Sequence, residues 1–193
     1  MITYLIKNNE AIYQQLALDA VSLRDQLNSS EVELADCVNF GLLNVELEKH
    51  WGLVSSTFEA LPDFPEAIKV PNISIWKNAT LVLSERAHAS LKLILAEYGE
   101  FLPIYIGDYK YYIFNLIIEG KVDLEKTRYE WDDDIAMELE ALVFDSDDIK
   151  EKAMFKSFHN GLGGMFCSDA FKVTCEELDL DGLLFDQDLT GAE

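Results

Sequence analysis

The sequence predicts an α+β fold, with a mixed or antiparallel sheet and a β-hairpin at 101–118 packed against helices in a single globular unit. Three observations carry this. The chain has 193 residues, 49% of them hydrophobic, enough for one sizeable core without disulfide or metal staples. A capped amphipathic helix is followed at once by two β-rich runs joined through a short glycine turn. The other helices and short strands interleave without a regular βαβ rhythm, and no internal repeat or Gly/Ser linker divides them.

Residues 2–6 alternate weakly and predict a first strand. From Ala11 to Leu27 the apolar positions Ile12, Leu16, Val21 and Leu23 fit either a helix or a strand with a turn. Pro62, Pro65 and Pro71, three of the four prolines, fall within ten residues. They mark an irregular crossing, the natural boundary between an N-terminal subdomain, 1–69, and a core, 70–187. Ser84 is a natural N-cap, and Glu85 places an anion among the unpaired amides of the first turn. Ala87, Leu91, Ile94, Leu95 and Tyr98 then share one face, and Gly99 ends the run. Phe101 to Ile106, Gly107-Asp108 and Tyr109 to Ile118 read as the hairpin. Leu142-Val143-Phe144 predicts a short strand, and Gly161, Gly163 and Gly164 a loop. Ser168 and Asp169 open a second helix, with Ala170, Phe171, Thr174, Cys175 and Leu178 on one face. Asp181-Gly182 turns the chain into a last strand, Leu183-Leu184-Phe185.

Acidic residues number 36 against 15 Lys and Arg, a formal net charge of −21. The apolar content puts this excess on a folded surface rather than on a disordered chain. A phosphate-backbone binder needs Lys and Arg to displace counterions, so nucleic acid is not an expected partner. No run reaches the roughly 18 apolar residues of a membrane span, and Met1 to Glu10 has neither a basic leader nor a signal-peptide run. A cytoplasmic protein with no membrane partner is expected. Cys37, Cys167 and Cys175 form no CxxC, and their odd number fits a reducing compartment; each reads as a small buried hydrophobe.

Reactive constellations are few. His50, His88 and His159 have no zinc spacing, and His88, off the apolar stripe of its helix, reads as a partly exposed surface histidine. Asp145-Ser146-Asp147-Asp148 opens like a calcium loop, but Lys150 stands where the glycine is needed and Lys156 where the glutamate is. Asp179-x-Asp181-Gly182 runs into Leu183, Leu184 and Phe185 instead of further ligands. No metal and no cofactor are expected. Asp108 with Glu119-x-Lys121 matches the skeleton of a magnesium nuclease, two carboxylates for the metal and a lysine for water or phosphate; the surface charge repels the polyanion such an enzyme would cut. Gly161-Leu162-Gly163-Gly164 lacks the Lys-Ser/Thr of a phosphate cradle. No GxSxG occurs, and neither Cys37 nor Cys167 has an assignable histidine. What remains is an acidic scaffold suited to binding a basic partner, not an enzyme.

Eight blocks then carry a resemblance. They are Pro71 to Trp76; Leu83-Ser84-Glu85-Arg86-Ala87; Gly99-Glu100-Phe101-Leu102-Pro103-Ile104; Tyr111-Tyr112-Ile113-Phe114-Asn115; Val143-Phe144-Asp145; Phe155-Lys156; Phe166-Cys167-Ser168-Asp169-Ala170-Phe171; and Leu180-x-Gly182-Leu183-x-Phe185. In this order they resemble the bacterial polymorphic-toxin immunity family numbered eleven, formerly a domain of unknown function typified by a myxobacterial member. The resemblance covers about residues 70–187 and lies in the succession of blocks. It implies a cytosolic protein, encoded beside a toxin, that neutralises the toxin by direct binding and is not an enzyme; no catalytic residue is carried over.

The resemblance nominates no contact residues, so charge must. Residues 119–148 carry 12 carboxylates against three basic side chains. Asp132, Asp133 and Asp134, with Asp145, Asp147 and Asp148, are expected to meet the basic active-site cleft of a cognate toxin domain, of which a nuclease toxin is one kind. Tyr129 and Trp131 are the expected aromatic anchors. The alternative reading is an acidic adaptor or nucleic-acid mimic that binds an endogenous basic protein. The sequence leaves the oligomeric state open between monomer and homodimer.

Overall fold

The computed structural model describes residues 2–132, 135–159 and 162–191. The N-terminal third contains β1 (Thr3–Asn8), β2 (Gln15–Leu16), α1 (Ala20–Gln26), α2 (Leu34–Asn39), β3 (Val54–Ser56) and β4 (Phe58–Glu59). The middle contains β5 (Ile73–Ile75), β6 (Thr80–Ser84), α3 (Glu85–Leu95), β7 (Gly99–Ile106), β8 (Tyr109–Leu116), β9 (Arg128–Asp132) and β10 (Ile135–Ala141). The last quarter contains α4 (Ser146–Ile149), β11 (Met154–His159), β12 (Leu162–Ser168), α5 (Asp169–Glu177) and β13 (Leu183–Asp186). The architecture is α+β.

Two sheets dominate. One has the order β3-β7-β8-β6-β5 and is parallel only between β3 and β7; the other, β11-β12-β1-β13, is antiparallel throughout. Successive strand residues face opposite sides, and this alternation sorts the apolar side chains into three cores. Leu81, Leu83 and Phe114 of the first sheet meet Tyr4, Ile6 and Cys167 of the second in a core that also takes Leu91 of α3 and Phe171 of α5. Val82, Leu102 and Ile113 face the other way, onto Leu23, Cys37 and Phe40 of the N-terminal helical layer. Leu5, Phe155 and Phe166 turn from the second sheet onto Leu142, Phe144 and Ile149. The proline-rich crossing is irregular, yet β1 lies between β12 and β13, and β3 extends β7. The first 69 residues therefore share both sheets with the rest.

The helix opening at Ser84 forms because the Ser84 hydroxyl accepts from the Ala87 amide and because Ala87, Leu91 and Leu95 are wholly buried. It ends at Leu95, and Gly99 opens β7 instead of closing the helix. The hairpin forms as expected, with Gly107 at φ +59 in its turn. Two expectations are corrected. Leu142-Val143-Phe144 is not a strand; Phe144 makes a single bridge to Val122, and the regular β-structure of that stretch is the acidic hairpin β9–β10. Gly163 and Gly164 lie within β12, not in a loop: an added Cβ at Gly164 would come within 3.0 Å of the Leu5 side chain, so glycine lets the sheet pack closely there.

Three strand edges, those of β3, β5 and β11, are each covered by hydrogen bonds. The Gln26 side-chain amide accepts from the Ser55 amide (2.8 Å) and donates to its carbonyl (3.1 Å), sealing β3. The Asn8 amide does the same for Ile75 of β5, at 2.7 and 2.9 Å. At β11, Lys156 donates its amide to the Ile118 carbonyl and accepts from the Gly120 amide. No helix among the described residues is long and apolar enough to cross a membrane.

Candidate protein-binding site

Residues 121–126 are drawn against the start of α4 by two backbone bonds, from Asp123 to the Val143 carbonyl and from Asp145 to the Lys121 carbonyl, both 2.8 Å. Asp145 caps α4 by accepting from the Asp147 amide at 3.0 Å and stands 3.7 Å from the Lys121 ammonium. Asp148 accepts from the Lys152 ammonium at 2.7 Å and the Lys121 amide at 2.9 Å. The Lys152 bond, then the amide, hold its carboxyl below the usual range. Lys126, bonded at 2.6 Å, does the same to Asp123. Asp147 lies 3.6 Å from Lys150, with its side chain 91% exposed.

Between these segments runs an open cleft of about 510 Å³, lined by Asp123, Glu125, Asp145 and Asp147 together with Lys121 and Lys126. Leu124, 67% exposed, stands at its lip. Ser146 also borders a second cavity, an apolar notch of about 270 Å³ walled by Leu142, Phe144, Ile149 and Leu189. An acidic cleft thus adjoins an apolar notch, the arrangement of a protein interface with a charged rim beside a dehydrated centre.

Of the residues nominated from sequence, Asp145, Asp147 and Asp148 cluster at α4, but two of them are engaged locally as cap and clamp. Tyr129 is half-buried on β9 and packs against the core beneath the acidic hairpin. Trp131 and Asp132 are described as β9 backbone, paired with Ala136 and Ile135; Asp133 and Asp134 lie outside the described residues. Asp123 and Glu125 were missed as site residues, although the acid density of 119–148 includes them. The notch was not legible, because Leu189 reaches it from the far end of the chain.

The other reactive groups are dispersed. Asp108 sits in the β7–β8 turn and Glu119 beyond the far end of β8, whose eight residues at about 3.3 Å each keep them more than about 20 Å apart. They do not share a metal site, and Lys121 faces Asp145. His88 is partly exposed, as expected, and its ring stacks on Tyr112 at 3.6 Å and meets Phe101 edge-on. Burial, then Lys92 and Lys110, hold it below its ordinary pKa. Burial pushes the Cys167 thiol up strongly and that of Cys175 up to about 12, so both remain protonated and unreactive at neutral pH. Among the described residues no group of three or more His, Cys, Asp or Glu is placed to hold a metal ion. Sequence reasoning also missed Lys156, which is wholly buried and donates to the Gly41 carbonyl.

No protein-family model matches the chain, and no curated protein matches it significantly.

Proposed function

We propose that this chain binds a basic protein domain through the acidic cleft of residues 121–126 and 145–147, and that it serves as an immunity protein, masking the active site of a cognate bacterial toxin in the cytoplasm of the producing cell. The observation that carries the binding reading is the junction of cleft and notch at Ser146. A Lys or Arg of the partner enters among Asp123, Glu125 and Asp147 while an adjacent aliphatic side chain fills the notch. The net charge of −21 speeds encounter with such a partner, and the apolar contact slows its release. The immunity role rests on the order of blocks over residues 70–187 and on the fit between an acidic inhibitor and the basic cleft of a nucleic-acid-cleaving toxin. The direct test is co-expression with the product of the adjacent gene. Co-purification and survival of cells carrying that product are the expected results. A parent protein that neither binds nor protects removes the immunity role, and capture of an endogenous basic protein instead replaces it with the adaptor reading.

A further inference from the structure

The edge of β13 stands apart from the closed edges described above. Asn9 donates to the Gly182 carbonyl at 3.0 Å, and the register pairs Lys7 with Leu184 and Leu5 with Asp186. Antiparallel ladders bond every second residue toward a given neighbour, so Leu183 and Phe185 turn their N–H and C=O groups away from β1. The same parity points the Asp181 carbonyl outward, where it accepts from the Asn72 and Ile73 amides at 3.0 Å. Beyond that contact, no backbone bond among the described residues covers the outward groups of Leu183 and Phe185. Among the described residues, the chain after β13 does not return to this edge; Leu189 and Gly191 lie toward the opposite face, by Leu5.

Beside the open edge is a groove of about 430 Å³ between the end of α5 and β13, with Cys175, Leu180, Leu183 and Phe185 as apolar wall and Glu176, Asp179 and Asp181 at its rim. Asp181 is engaged with Asn72 and Glu176 with Lys172, while Asp179, at φ +49, is exposed at the mouth. We propose that this edge and groove accept an extended segment of a basic partner protein, which adds as a strand to β13, lays one apolar side chain in the groove and sets Lys or Arg against the rim. The partner's charge is taken from the binding reading above; the edge and the groove are independent of the acidic cleft.

The test uses the whole protein and a synthetic octapeptide of alternating Lys and Val, read by residue-resolved amide hydrogen exchange. At a concentration about tenfold above its Kd, the peptide is expected to slow exchange at Leu183 and Phe185 about tenfold. The same peptide N-methylated at alternate amides, and a version with Glu for Lys, are expected to leave both amides fast. Protection confined to residues 121–148, or none at all, overturns the strand-addition proposal. Equal protection by the N-methylated peptide overturns backbone pairing, and equal protection by the Glu peptide overturns the basic partner. None of the three peptides bears on the acidic cleft unless residues 121–148 respond, so failure at the edge and failure of the cleft are read separately.

Discussion

Taking a lysine ammonium wholly out of water costs several kcal/mol unless it is partnered, and Lys156 meets that cost with the Gly41 carbonyl and the charge of Glu119. Desolvation lowers its pKa, only partly offset by Glu119. Between this folded value and the unfolded value of about 10.4, the unfolded chain holds a proton that the folded chain has released, so stability rises with pH across that window. Lys156→Met is expected to remove this rise; denaturant unfolding of both proteins from neutral pH to about pH 10 should show the parent gaining on the variant, and parallel profiles contradict the assignment. Asp148 gives a rise of the same sign, but in the acid range. Its lowered pKa contributes stability fully present above about pH 4 and lost as pH falls through the folded value. Asp148→Asn should therefore be less stable than the parent at pH 6, with the two converging in acid; a constant difference would show that the Lys152 and Lys121 contacts are not the cause. The Lys156 role is not legible locally, since the residue sits in an ordinary Phe-Lys-Ser run and its partner is 115 positions away, whereas the Asp148–Lys152 pair has the local i,i+4 spacing.

α3 is held by a stripe of wholly buried residues, and replacing Leu91 with Ala is expected to cost about 2–5 kcal/mol, through lost transfer energy and an incompletely collapsed cavity. A cost below about 0.5 kcal/mol in denaturant unfolding, the range of surface substitutions, would mean that the stripe does not pack on β6 and β8. The Gln26 amide is a different device: it occupies the edge of β3 that would otherwise pair with another chain. Gln26→Leu should keep the fold but show concentration-dependent association relative to the parent in sedimentation velocity, whereas unchanged sedimentation would assign the edge no protective role. These elements differ in how visible they were. The α3 helix, the β7–β8 hairpin, α5 and β13 announce themselves through caps, three- and four-residue spacing and glycine turns, all local signals. The hairpin β9–β10 is masked by its carboxylates, which depress strand propensity, and β12 by Gly163 and Gly164, which read as a loop until Leu5 is known to lie against Gly164.

At the scale of the whole molecule, topology joins what sequence separates. Nothing in residues 3–8 predicts that β1 sits between β12 and β13, because strand pairing over more than 150 positions leaves no local trace. The site divides along the same line. Its acidic half was legible as charge density over 119–148, whereas its apolar half is assembled from Leu142 to Ile149 and Leu189 by the fold itself. Charge and notch should therefore separate kinetically once a partner is in hand. Association and dissociation rates against that partner, measured across ionic strength for the Glu125→Gln/Asp147→Asn double variant and for Leu189→Ala, test the binding account most directly. The double variant is predicted to associate more slowly with a flatter salt dependence, and Leu189→Ala to dissociate faster at an unchanged association rate. Both variants matching the parent in both rates, while remaining folded, would contradict it.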